Sequence, residues 1–351
     1  MYSIGNMSNS IGNTKGVVLV TGGSGFIASH IIDSLLDNGF KVVATARSDE
    51  KGRRIVESAT PVQRSNLSYI VVGDVAKENA FDSAFTKGTI FDYVVHTASP
   101  YHFNVQDPVK DFLDPAIKGT TGILKSVVAH APTVKRVVIT SSSAAMINPL
   151  NHAKVYDETC WAPWTLEDVK DPQKAYIVSK TLSEKAAWAF MEKEKPNFDL
   201  VVINCTYTFG PVQRSLPSLE VMNASNHRIR DMLQGKMKEE LPSTAPVFTF
   251  VDVRDVARAH LKAITVPEAG GNRFYIVGGH FSNKRIVDSI RKSYPKFGER
   301  LPPEDAPDDF PADVYGFNNG KSVKLLGLDY NSLEESVKDT VQSILDLRLD
   351  L

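Results

Sequence analysis

The chain has 351 residues, 42% of them hydrophobic, with 40 Lys and Arg against 41 Asp and Glu and a net charge of −1. That balance, with no long run of like charges, argues against nucleic acid or an anionic membrane as the main partner. The two cysteines are far apart, the 8 histidines include no HxxxH or HExxH, and no apolar stretch approaches membrane-spanning length; no disulfide framework, metal site or membrane span is expected.

Residues 1–15, MYSIGNMSNSIGNTK, are polar and lack both the apolar core of a signal peptide and the arginines of a transit peptide. They read as a disordered tail on a cytoplasmic protein. GVVLV (16–20) then predicts a strand, and FIASHIIDSLLDNG a helix with an Asn-Gly stop. KVVATA (41–46), YIVV (69–72), FDYVVHTA (91–98), VKRVVITSS (134–142) and DLVVIN (199–204) predict further strands, with helical patterns between them. Strands alternating with helices imply right-handed crossovers and a parallel sheet covered on both faces. After Gly210 the pattern gives way to proline-rich stretches such as YPKFGERLPPEDAPDDFPADV. These predict a smaller lobe over the carboxyl edge of the sheet, where open α/β sheets bind ligands. A last helix near 332–347 presents Leu333, Val337, Val341 and Ile344 on one face.

Four features carry chemistry. In VVLVTGGSGFIASH, Gly22, Gly25 and Ala28 stand at GxxGxxG spacing between the first strand and its helix. Glycines there allow a tight turn and close approach of a pyrophosphate, which free N–H groups near Phe26 and Ile27 can bind. In ATARSDEK the next strand ends on Arg47 and, one turn later, Lys51. An NAD site usually carries an acidic residue there for the ribose hydroxyl; two cations favour a 2′-phosphate, hence NADPH. In VVGDVAKE, Asp74 follows a strand, where it either accepts from an adenine amine or forms a turn. Finally, RVVITSSSAA sets Ser141, Ser142 and Ser143 at the carboxyl end of a buried strand, and AYIVSK sets Tyr176 and Lys180 on one helix face. Asp171-Pro172 is the start signal of that helix. The Tyr–Lys spacing by itself is what chance supplies; its meaning comes from the serine strand and the glycine turn.

Together these stretches, with HTASP (96–100) and FVDVRDVARAH (250–260), resemble the extended short-chain dehydrogenase/reductases, in particular the NADPH-dependent carbonyl reductases related to methylglyoxal reductase and dihydroflavonol 4-reductase. The resemblance implies a Rossmann-type doubly wound α/β sheet with a smaller C-terminal substrate lobe. Residues 16–210 would form the NADP-binding domain, with 247–280 returning to it, and 211–246 with 281–351 the substrate-binding lobe. It implies reduction of an aldehyde or ketone to an alcohol, with Tyr176 as proton donor, Lys180 as its helper and Ser142 as third member, Ser143 being the close competitor. It assigns Arg47 and Lys51 to the 2′-phosphate, Asp74 and Val75 to adenine, and Thr208 and Ser225 to further cofactor contacts. Phe103, Ile147 and Tyr207 would line an apolar substrate pocket.

The chain departs from the family in reading Asn204-Cys205 where relatives usually have Asn-Pro, and Gly122 where some have a proton-relay asparagine. KAYIVSK also lacks the NWYCYGK stretch of relatives that reduce CoA thioesters. The expected partner is a small-molecule carbonyl compound, and the expected state a monomer or homodimer. Two other readings stay open: a nucleotide-sugar epimerase or dehydratase of the same family, opposed by Arg47, and a non-catalytic NADPH-binding regulator, opposed by retention of both Tyr176 and Lys180.

Overall fold

The computed structural model describes residues 14–99, 107–171 and 174–348. Seven parallel strands form its centre: β1 (Val17–Thr21), β2 (Lys41–Ala46), β3 (Leu67–Val71), β4 (Tyr93–His96), β5 (Arg136–Ser142), β6 (Asp199–Cys205) and β9 (Arg273–Ile276). Their order is β9-β6-β5-β4-β1-β2-β3. The chain therefore winds outward in one direction from β1 and returns to wind in the other from β4. Between those two strands the crossovers part, and a crevice opens at their carboxyl ends.

Side chains alternate across a strand, and β1 shows what this does here. Val18 and Val20 enter one core layer with Ile31 and Leu35 of helix α1 (Phe26–Asp37). Leu19 enters the opposite layer with Phe81 and with Ile123 and Leu124 of α3 (Asp114–His130). A strand apolar on both sides can sit only in the middle of such a sandwich. Helix α2 (Asp49–Ser58) packs on β2 and β3, and α4 (Ala175–Glu194) on α3. Helix α4 begins past the Asp171 signal: Lys174 donates its N–H to Asp171 O at 2.9 Å, and the helix starts at Ala175.

The remaining chain builds a second layer over the carboxyl edge. Short strands β7 (Tyr207–Phe209), β8 (Thr249–Asp252) and β10 (Gly279–His280) make a three-stranded sheet in the order β10-β8-β7. Helices α5 (His227–Leu233), α7 (Asn283–Ser293) and α8 (Leu333–Asp346) pack around it through Met232, Ile286, Ile290, Val337, Val341 and Ile344. Burying each of these side chains contributes roughly 2 kcal/mol, so the lobe carries a core of its own. The segment 247–280 goes both ways. Its β8 and β10 join the small sheet, while α6 (Val253–Thr265) lies beside α1 and β9 closes the main sheet. At the amino end, Lys15 donates its backbone N–H to Gly39 O at 3.0 Å. Residues 1–13 of the expected tail lie outside the described residues.

Candidate active site

A cavity of about 570 Å³ runs along the crevice. It begins at the turn after β1. Gly22 has φ +69°, and a Cβ there would lie 3.0 Å from Ala98 Cα. Both the backbone angle and the close approach exclude a larger residue. Gly22 N donates to Thr45 Oγ1 at 3.1 Å and Gly23 N to Thr45 O at 2.9 Å, which pins the turn to β2. Gly25 caps α1 with no side-chain bond to the helix start, and Phe26, Ile27 and Ala28 line the cavity. An uncapped helix start facing a cavity is an anion site in the making. Thr21, the last residue of β1, accepts at Oγ1 from the backbone N–H groups of Thr97 and Ala98, each at 3.2 Å. Its own proton is therefore given to His96 Nδ1, 2.9 Å away, which leaves the histidine proton on Nε2. Burial holds His96 down at a pKa of about 3, so the ring is neutral.

Arg47 and Lys51 both line the cavity at the end of β2. Asp49 and Glu50 beside them are taken by Arg53 and Arg54 across single helical turns. Arg47 and Lys51 have no ion-pair partner among the described residues. Val75 lines the cavity too. Asp74 does not: it is exposed, and its Oδ1 accepts from Ala76 N at 2.9 Å in a tight turn.

At the other end stand the serines and the Tyr–Lys pair. Ser141, Ser142, Ser143, Tyr176 and Lys180 all line the cavity. Ser142 is the last residue of β5, and its Oγ accepts from Ala144 N at 3.1 Å; Ser143 is buried in the turn that follows. Lys180 Nζ donates to Ser99 Oγ at 3.0 Å and lies 5.9 Å from the centre of the Tyr176 ring. Phe112 meets the Tyr176 ring edge-on at 6.2 Å. Burial pulls the Lys180 ammonium below the ordinary lysine range, opposed by Cys205 and Glu184. Cys205, where the family resemblance implies a proline, continues β6 between Ser142 and Ile276. Its thiol is pushed up by burial and donates to Ser141 O at 3.5 Å.

Thr208 and Ser225 line the same cavity and are joined, Ser225 Oγ donating to Thr208 O at 2.7 Å. Ile147 and Tyr207 line it as well; Phe103 lies outside the described residues, and Gly122 stands in α3 away from the lining. Sequence reasoning missed Ser99, the hydrogen-bond partner of Lys180, and Glu184, which ties three strands to α4. A signal for Glu184 was available: it is a further i+4 step along the face of Tyr176 and Lys180. Among the described residues no group of three or more His, Cys, Asp or Glu could hold a metal, and no helix is long and apolar enough to cross a membrane.

Known proteins bear on this arrangement. The model of the NAD dependent epimerase/dehydratase family matches residues 18–278. Ketoreductase azaE of Aspergillus niger is 52% identical over 336 residues, which are 96% of this chain and 99% of that protein. The NADPH-dependent methylglyoxal reductase GRE2 of Saccharomyces cerevisiae is 35% identical, over 93% of this chain and 98% of its own. The crystal structure of the yeast methylglyoxal/isovaleraldehyde reductase Gre2 complexed with NADPH superposes with a TM-score of 0.87 at 34% identity, covering 95% of this chain and 99% of that one.

Proposed function

The chain belongs to the NAD dependent epimerase/dehydratase family, and we propose that within it the protein is an NADPH-dependent carbonyl reductase working through Ser142, Tyr176 and Lys180. The observation that carries this reading is one continuous cavity with a glycine turn and two unpaired cations at one end and the Tyr–Lys pair beside the serine strand at the other. The residues fit the cofactor. The open start of α1 suits a pyrophosphate, Arg47 and Lys51 a 2′-phosphate, and Val75 an adenine face. Asp74 accepts from Ala76 N at Oδ1, and its second carboxylate oxygen is left to accept from an adenine amine.

NADPH, when bound, supplies a hydride to the carbonyl carbon. The protein's task is the charge that develops on the oxygen. Ser142 Oγ donates a hydrogen bond to that oxygen and fixes its place. Tyr176 passes its phenolic proton to it. A free phenol has a pKa near 10, too high for an efficient acid at neutral pH, and a nearby ammonium favours its release. Lys180 provides that ammonium, and its bond to Ser99 aims the side chain along the cavity. Ile147 and Tyr207 give the carbonyl compound an apolar bed. The substrate is a small neutral aldehyde or ketone. We place the enzyme in the cytoplasm as a monomer or homodimer, in keeping with the free Cys160 and Cys205, which suit a reducing compartment.

The test is a panel of aldehydes, α-dicarbonyls, keto esters and aryl ketones offered with NADPH and with NADH. We expect NADPH oxidation with part of the panel and a marked preference over NADH. No oxidation with any member, together with cofactor that stays bound through purification, would point instead to an epimerase or dehydratase.

A further inference from the structure

Three strands and one helix meet at a single carboxylate behind the Tyr–Lys pair. Glu184 lies on α4 one turn beyond Lys180 and is 1% exposed. Its Oε2 accepts from Ser141 Oγ at 2.5 Å and from Asn204 Nδ2 at 2.6 Å, and its Oε1 accepts from Arg273 Nε at 2.5 Å. Ser141, Asn204 and Arg273 stand on β5, β6 and β9, three neighbouring strands. Asn204 Nδ2 also reaches Ser142 O at 3.2 Å, so the network ends on the backbone of the serine itself. Arg273 is fixed from behind. It donates to the carbonyls of Glu158 at 2.7 Å and Cys160 at 2.9 Å, and its guanidinium carbon lies 3.7 Å from the centre of the Trp161 ring.

A buried ion pair of this kind is a poor source of stability, because desolvation offsets most of the attraction and apolar residues of equal volume pack as well. What it does give is geometry. Each partner is directional, and losing the carboxylate would leave three buried donors without their acceptor. We propose that Glu184 is a positioning residue for the reduction: it locks the serine strand to the helix bearing Tyr176 and Lys180, and its negative charge, one turn away, keeps the Lys180 ammonium charged inside the cavity. This rests on the carbonyl-reductase reading above.

The titratable groups around Lys180 are Tyr176 and Glu184 on its own helix, His96 on β4 and Cys205 on β6. His96 is neutral, with a pKa of about 3, and the Cys205 thiol is held above its ordinary value by burial. Neither carries charge at neutral pH. Glu184, whose own ion pair is with Arg273, is the remaining anion.

Glu184→Gln tests this against the wild type, using a carbonyl substrate on which the wild type turns over. We expect kcat to fall by about ten- to a hundredfold, as misplacement by an ångström or less does. We expect NADPH affinity to change by less than about threefold and the alkaline limb of kcat to move to lower pH, since a nearby negative charge that opposes desolvation of the ammonium is gone. An unmoved limb, with kcat unchanged or falling only in step with thermal stability, would overturn the proposal. Should Glu184→Gln not fold, Ser141→Ala decides, because it removes one tie and leaves the charge. It should lower kcat with the limb in place, and unchanged kcat overturns the claim. A wild type inactive on every carbonyl removes the reductase reading, and the proposal with it, before either variant is made.

Discussion

At the scale of single side chains, Arg47 and Lys51 separate the two nicotinamide cofactors in the proposed reductase. Asp49 and Glu50 are drawn off by Arg53 and Arg54, so the two cations face the cavity unneutralised. Arg47→Ala should weaken NADPH by about tenfold or more, the worth of a lost charge-assisted hydrogen bond, while leaving NADH nearly unaffected. Steady-state kinetics with both cofactors measures this, and equal losses for the two would remove the 2′-phosphate assignment. These residues were legible because they sit at a fixed place in a strand-turn-helix pattern. Asp74 was legible as a position and not as a role, since a strand-end aspartate is equally suited to a turn, and here it closes one. Ser99 carried no motif, and for Glu184 the sequence offered only its i+4 place beyond Lys180. Their roles come from partners 81 and 43 residues away in the chain, a pairing that local spacing does not report.

The glycine turn makes its prediction at the scale of an element. With φ at +69° and Ala98 Cα 3.0 Å from where a Cβ would stand, Gly22→Ala strains the β1–α1 connection and pushes β4's exit from its place. A loss of about 1–3 kcal/mol of stability should follow, read by denaturant unfolding, together with weakened NADPH binding. Unchanged stability and binding would mean that the turn is not held as described. Six of the seven main-sheet strands were legible: five are β-branched runs buried on both faces, and the edge strand β3, with Ser68 and Val71 exposed, is marked by its Tyr-Ile-Val run. The seventh, Arg273–Ile276, has four residues; its pairing with β6 rather than its own pattern makes it a strand. The small sheet was hidden for the same reason: β10 has two residues and β7 three, and such lengths leave no periodicity to read. The last helix was clear from Val337, Val341 and Ile344, all fully buried as their spacing requires.

The whole molecule should be sensitive to acid, and the sign can be worked out. His96 and His260 are buried and neutral, with folded pKa values of about 3 and about 4 against an ordinary 6.5. His260 Nδ1 faces Val256 O, which only accepts, so the ring donates there and takes the Thr140 hydroxyl proton at Nε2. Unfolding lets both rings take up protons. Their contribution is complete above pH 6.5 and is lost as pH falls toward the folded values. Asp255 acts oppositely: burial raises its carboxyl from 3.8 to about 6, so the folded state gains a proton below that pH. Among these three groups, two protons favour the unfolded state against one favouring the folded state, a contribution of about 1.4 kcal/mol per pH unit between pH 6 and 4. His30, His152 and His227, also lowered by burial, act with the two histidines, and Asp33, raised by burial, acts with Asp255. Melting temperature against pH measures it. His260→Gln should flatten the curve in that window, and an unchanged slope would remove His260 from the account. The strand-helix alternation stops near Gly210, where the chain turns from the seven-stranded to the three-stranded sheet; how 247–280 is shared between the two sheets was not legible, because that depends on which strand edge each short segment finds.

In the proposed NADPH-dependent reduction, Tyr176 gives the proton. The most direct test is Tyr176→Phe, with alcohol formation and NADPH oxidation followed together and NADPH affinity measured separately. The wild type should convert a carbonyl compound with one NADPH consumed per alcohol formed, and the variant should bind NADPH within a few-fold of normal while losing about a hundredfold or more in turnover. A variant that reduces the same carbonyl at the wild-type rate would contradict it.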